Sequence, residues 1–360
     1  MSERTSIIEP ADYKPGIDLS GADLRGRPLV EAQLDGANLS GADLREADLT
    51  SAIMQKANLK DADLRGATLS GTILINADLE GADFRGAIME TTILQGARMR
   101  SVAFDQAIMD GVVFGTDLRG ATFREATLNT CVLQGVVAPA ADFTGAKIDT
   151  SVFLEAHLAR AQFTDAVVKA TVLSQANLCE ADFTRADLTL AIMRGTTAPG
   201  AVFREARMGA THARLADFSD CDFTGAQAST AAFERASLAR AKMKELVADY
   251  ATFEFADVRD VEMSGANCEF SVFVGASLGG TRAEDSKFLG VDFTWAEMDT
   301  FTMQGCDTNQ ALFPTQVDVA YGPGEAQPPG VEPQPLYRIA ATPEERQQLL
   351  ADPEEGATAS

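Results

Sequence analysis

From Leu19 to Phe114 every fifth residue is Leu, Met or Phe, twenty positions in succession, in a chain that is 46% apolar overall. One residue is lost between Phe114 and Leu118, and the period then resumes through Leu118, Phe123, Leu128 and Leu133 and continues in fives to Phe313. A period of five is neither the 3.6 of an amphipathic helix nor the 2.0 of a flat half-buried strand. It fits a chain that turns a corner every five residues and stacks its turns into a solenoid.

Two residues before each central position stands a small side chain, usually Ala, as at Ala22, Ala32, Ala37 and Ala42. The central and small residues are therefore expected to point inward. The phenylalanines give the number of sides. Phe84, Phe104, Phe123, Phe143, Phe163, Phe183, Phe203 and Phe223 recur every twenty residues, or nineteen across the deletion. Phe233, Phe253, Phe273, Phe293 and Phe313 form a second column two sides away. Four sides make one coil, so the chain is expected to build about 15 four-sided coils, a rod roughly 65–70 Å long at the ~4.8 Å spacing of paired strands. Each coil touches only its neighbours, so both ends need caps. In the ADLR units, Asp23, Asp43, Asp63 and Asp83 precede the central residue and Arg25, Arg45, Arg65 and Arg85 follow it. Stacked carboxylates repel, and the Arg row is expected to offset this by pairing across coils, worth at most about 1 kcal/mol per exposed pair.

Units such as ADLRG, ANLSG, ADLRE and ADFTG resemble the pentapeptide-repeat family over about residues 17–315. The resemblance implies an all-β fold, a right-handed quadrilateral parallel β-helix. It does not assign a task, because one fold hosts many functions.

Past Phe313, prolines and glycines crowd the sequence, and they cannot continue a β-ladder. The expected organisation is a lead-in or cap at 1–16, the β-helix at 17–315, a Pro/Gly-rich linker at 316–341, a short helix at 342–352 and a disordered tail at 353–360. The helix is read from Thr342 as N-cap, Pro343 at the first helical position and Glu345 completing a capping box. Its Leu349 and Leu350 are expected to dock on the rod or on another subunit.

No catalytic constellation is evident. His157 and His212 are 55 residues apart and cannot share a site, and no CxxC, HExxH, GxSxG or P-loop occurs. Cys131, Cys179, Cys221, Cys268 and Cys306 are spaced neither as metal ligands nor as a disulfide scaffold, and read as free thiols. The expectation is a protein that is not an enzyme, with no catalytic residues, metal or cofactor. The first residues lack the apolar stretch of a signal peptide, and no run of about 18 apolar residues occurs. A cytoplasmic bacterial protein without membrane contact is expected.

The preferred reading is a rigid scaffold for protein–protein interaction, a bacterial adaptor or secretion-system accessory, binding another protein or a second copy of itself. The alternative is an acidic rod that mimics DNA and binds DNA gyrase, as some proteins of the resembled family do. The net charge is −23, but residues 119–218 hold ten acidic and ten basic residues. Duplex DNA carries about one charge per 1.7 Å, on the order of 40 over such a rod. Direct nucleic-acid binding is not expected. Outward positions read as mostly small or polar, with four aromatic exceptions, Tyr250, Phe255, Phe270 and Trp295, as the candidate partner-binding residues. The same rings would also serve as an end cap. VVAPA and TTAPG place Pro139 and Pro199 three coils apart on one side, where kinks or a shared groove are expected.

Overall fold

The computed structural model describes residues 13–314. The linker, helix and tail expected at 316–360, and most of the lead-in, lie outside the described residues.

Parallel bridges join each residue just before a central position to its counterpart one coil on, from Asp18↔Asn38 to Asp292↔Leu312. Four such columns run the length of the rod, and they define its four faces. The first begins at Asp18, the second at Asp23, the third at Pro28 and the fourth at Gln33. The step is twenty residues except at the deletion, where Arg98 pairs with Asp117 and Ala103 with Thr122. Short strands mark where pairing widens. β1 (Ile88–Glu90), β2 (Ile108–Asp110), β3 (Thr127–Asn129), β4 (Lys147–Asp149) and β5 (Val167–Lys169) form one parallel sheet on the third face. β6 (Arg282–Glu284) and β7 (Thr302–Gln304) pair on the second. The fold is an all-β parallel solenoid, with no helix among the described residues.

The backbone explains the period. In the unit around Leu39, the Asn38 amide donates to Ile17 of the preceding coil and the Leu39 amide to Asn58 of the next. The Gly41 amide donates forward to Lys60, and the Ala42 amide donates back to Leu39, closing a β-turn. One donor per unit remains, on the residue after the centre. Where Asp or Asn precedes the centre its side chain accepts that donor, as from Ser20 to Asp18 and from Thr144 to Asp142. This Asx-type bond is the reason for the Asp and Asn bias at that position.

Asp23 shows the same bond and adds an ion pair inside its own unit. Arg25 Nε donates to Asp23 Oδ1 at 2.8 Å and its Nη2 to Oδ2 at 2.7 Å, whereas Asp43 in the next coil is 3.5 Å away. Arg45 and Arg65 repeat the pattern, with cross-coil distances of 3.6 and 3.7 Å. The cross-coil pairing read from the sequence is thus the weaker contact, because a bidentate fork two residues away reaches both carboxylate oxygens first.

Inside, the central residues and their small partners are buried through the body of the rod, and only near its ends, as at Ala22, Ala32, Cys306 and Phe313, are they partly buried. The first Phe column stacks face to face, with Phe143–Phe163 at 4.8 Å and Phe163–Phe183 at 4.5 Å. The ladder crosses to the opposite wall through the perpendicular Phe223–Phe233 contact at 6.4 Å and resumes at Phe233–Phe253. Buried hydroxyls at the small position donate to a carbonyl one coil back, as Thr72 Oγ1 does to Leu49 at 2.8 Å. At the lost residue the chain cuts the corner through Gly115, where a Cβ would lie 2.6 Å from the Ala97 carbonyl oxygen. Pro139 and Pro199 cause no kink, since the bridges Val137↔His157 and Thr197↔Asp217 continue past them. Each occupies the second position of a β-turn, which suits the fixed φ of proline.

Two outcomes follow. Phe163→Ala opens a cavity between two stacked rings and should cost about 3–5 kcal/mol in denaturant unfolding. Thr164→Ala, on the outer surface, should stay within about 0.5 kcal/mol. Equal losses would refute this register. At the deletion, burial pushes the Asp117 carboxyl up, but Arg119, Arg100 and the Arg119 amide outweigh it and hold it at about 2. A carboxyl held below its ordinary value near 3.9 stabilises the fold above that pH and loses the contribution as pH falls towards about 2. The melting temperature should therefore drop between pH 5 and 2, and less steeply in Asp117→Asn.

Candidate functional site

The four faces differ in the side chains that their bridging columns present. The first column holds Asp18, Asn38, Asn58 and Asp78, and the second Asp23, Asp43, Asp63 and Asp83. The fourth holds Ile53, Ile73, Ile93, Val113, Val132, Val152, Val172 and Ile192 in consecutive coils, then His212, Ala232, Thr252 and Val272. These side chains point away from the core and are half-buried against one another, with Ile192 39% exposed. The expectation that outward positions are small or polar fails on this face. β-branched residues suit a pleated surface, so stacking alone gives them some shelter.

Apolar side chains also change the backbone. Val and Ile cannot accept the donor that Asp and Asn accept on the other faces. The amides of Ile75, Gln95, Gln134, Leu154, Ser174 and Arg194 follow the fourth-face centres and find no acceptor among the described residues. An Asp carboxylate on a neighbouring face reaches this donor from outside, so on the fourth face the donor is directed outward.

The four aromatic candidates frame this face. Tyr250 and Phe270 sit at the corner that leads into it, and Phe255 and Trp295 at the corner that leaves it. Each is the third residue of a β-turn and has a left-handed backbone, with φ of 58°, 58°, 55° and 62° for Tyr250, Phe270, Phe255 and Trp295. The structure stacks Tyr250 on Phe270 at 5.2 Å, leaving them 59% and 41% exposed. Phe270 in turn leans over Gly290, where an added Cβ would meet its ring at 2.7 Å. Phe255 leans over Gly275 in the same way, at 2.6 Å, and the Arg235 guanidinium lies 6.0 Å from its ring centre. Trp295 is 42% exposed in the coil beyond. The residues thus form two pairs on opposite edges of one face. None of the four closes the interior, which Phe293 and Phe313 close by stacking at 5.4 Å.

A shallow groove of about 550 Å³ runs along this face on the N-terminal side of the rings and ends at Phe255, lined among others by Ile192, Arg194, His212, Arg214 and Arg235. Sequence reasoning missed both this groove and the apolar column. The signal was available, since sorting outward residues by steps of twenty separates the four faces. His157 stands in the first column and His212 in the fourth, on different faces. Among the described residues no three His, Cys, Asp or Glu side chains are arranged to hold a metal ion. Cys131 and Cys221 are buried at the small inward position and Cys268 at a central one, and loss of solvent pushes the Cys131 and Cys268 thiols up to about 12. Among the described residues no helix is long and apolar enough to cross a membrane.

Among solved structures, the chain is similar to HetL, a pentapeptide repeat protein involved in heterocyst differentiation regulation from the cyanobacterium Nostoc sp. strain PCC 7120. The identity is 21% over 83% of this chain and 87% of that one, with a TM-score of 0.23. QnrB1, a plasmid-mediated fluoroquinolone resistance protein, is 16% identical over 75% of this chain and 91% of its own, with a TM-score of 0.21. Rfr23 from the cyanobacterium Cyanothece 51142 is 26% identical over 31% of this chain and 92% of its own, with a TM-score of 0.19. No curated protein matches the chain. The family model for pentapeptide repeats matches in eight copies, over residues 29–66, 62–100, 116–153, 156–195 and 262–299. These segments span more than half of the sequence, and the chain belongs to the pentapeptide-repeat family.

Proposed function

We propose that the protein is a non-enzymatic, rigid scaffold that recognises another protein along its fourth face. The observation that supports this reading is the apolar column Ile53–Ile192 on the same face that Tyr250, Phe270, Phe255 and Trp295 border. Contiguous exposed apolar surface on a soluble protein marks interaction sites, and aromatic anchors contribute most of the affinity at many interfaces. The uniform backbone makes the face a straight edge, so a partner meets side chains at fixed intervals of one coil.

The gyrase alternative draws less support. The second-column carboxylates near the N-terminus, which form the most regular acidic row, are each held by an arginine of their own unit, as in Arg45–Asp43 and Arg65–Asp63, both at 2.6 Å. A phosphate mimic needs unpaired charge. The protein should therefore leave supercoiling by gyrase unchanged at low micromolar concentration, and potent inhibition that weakens with salt would favour the alternative.

The scaffold reading is tested by affinity capture with mass spectrometry on the wild type and on Trp295→Ala with Phe270→Ala. Two lost anchor contacts, at about 2 kcal/mol or less in sum, should weaken a captured complex by roughly 30-fold. The melting temperature should hold, because both rings stand outside the core. Unchanged capture with a lowered melting temperature would make these rings structural and refute their role as anchors.

A further inference from the structure

The fourth face presents three things together that no other face does. Its apolar column is partly open to solvent, its amides at Ile75, Gln95, Gln134, Leu154, Ser174 and Arg194 lack acceptors among the described residues, and its groove carries Arg194, Arg214 and Arg235 beside His212, with Glu234 and Glu254 continuing the Arg194–Arg214 column in the next two coils. An occupant that matched all three would bring apolar side chains, hydrogen-bond acceptors and carboxylates.

We propose that this occupant is the chain's own C-terminal segment, residues 315–360, lying back along the fourth face. The rod ends on that face: Leu312 bridges Asp292, and Phe313 and Pro314 follow. Forty-six residues remain after Pro314. An extended chain covers about 3.3 Å per residue, so the segment reaches on the order of 150 Å. The way back from Leu312 to Ile53 is thirteen coil steps of ~4.8 Å, roughly 60 Å. The segment is long enough to cover the column and return.

Its composition fits the face. It carries eight Asp and Glu against two Arg, with Leu336, Tyr337, Ile339, Leu349 and Leu350 among its apolar residues. The carboxylates complement Arg194, and carbonyl or carboxylate oxygens complement the row of outward amides. A second copy of the chain fits less well. Two fourth faces laid together would set donor row against donor row, and a strip about 10 Å wide and 60 Å long supplies less than the ~800 Å² per partner of a stable interface. The inference rests on the fourth face being an interaction surface, and it adds that a partner would have to displace the segment.

Hydrogen exchange on the full chain, read by mass spectrometry, tests this. The comparison is between the wild type and a variant with Leu336→Ser, Ile339→Ser, Leu349→Ser and Leu350→Ser, all outside the rod, so that rod folding is not at stake. Peptides carrying the amides of Ile75, Gln95 and Arg194 should exchange at least tenfold faster in the variant, at every protein concentration, with peptides from the first face unchanged. Equal exchange in the two proteins would overturn the proposal. Protection that grows with concentration, alongside dimer in sedimentation, would overturn it in favour of a second copy. Neither result touches the capture experiment on Trp295 and Phe270, so the two readings fail separately.

Discussion

Everything in this molecule depends on one hydrogen-bond arrangement. In each unit the amide before the centre donates to the coil behind and the central amide donates to the coil ahead, as at Asn38 and Leu39. Those bonds lock residue n above residue n+20, so every side chain stands over its counterpart in the next coil. Buried backbone groups must be paired, and here the pairing leaves no freedom of register. A Phe at one position therefore stacks on a Phe one coil away, and an Ile on an Ile. The rod's core and its surfaces are two readings of the same ladder.

The residue before the centre then decides the chemistry of each face. Asp or Asn accepts the remaining donor of the unit and produces a closed, polar surface, as Asp142 does for Thr144. Val or Ile leaves that donor open and adds apolar area. A single choice of side-chain type, repeated down a column, converts an inert wall into one with both hydrophobic surface and directed donors. On the fourth face the choice is sustained from Ile53 to Ile192, eight coils across the deletion. The loss of one residue at Gly115 does not interrupt it, because the register shifts on all four faces together.

Much of this was legible in the sequence for a physical reason. A solenoid is nearly one-dimensional, so the period, the lost residue and the two Phe ladders translate directly into contacts. The Asp23 and Arg25 rows were legible as rows, but their pairing was not. Whether Arg25 reaches Asp23 or Asp43 depends on how its side chain is aimed within the unit, which the spacing of the rows does not fix. The aromatic candidates were found because large rings stand out singly. The Ile and Val column was missed because each member is unremarkable alone and becomes a surface only when residues twenty apart are read together. That Tyr250 and Phe270 share one corner and Phe255 and Trp295 the next was legible from steps of twenty; the stacking of Tyr250 on Phe270 and the lean of Phe255 over Gly275 needed the structure. The expected helix at 342–352 gains nothing from the described residues.

The placement of the aromatics carries its own argument. The third turn position requires a left-handed backbone, which costs a bulky residue on the order of 1–2 kcal/mol relative to Gly. Glycine fills that position at Gly275 and Gly290, within the same two columns, with φ of 66° and 65°. Folding would therefore favour Gly at each of the four sites, and the core gains nothing from rings that stand outside it. Stacking of Tyr250 on Phe270 offsets part of the cost for one pair, at about 0.5–1.5 kcal/mol. Trp295, 42% exposed, holds the same backbone conformation with a φ of 62°. Non-Gly residues such as Glu155, Arg185 and Leu215 take the same left-handed position elsewhere along the rod, so the backbone cost alone does not set the four rings apart; what does is that large aromatic side chains are gathered on the two corners that flank one face.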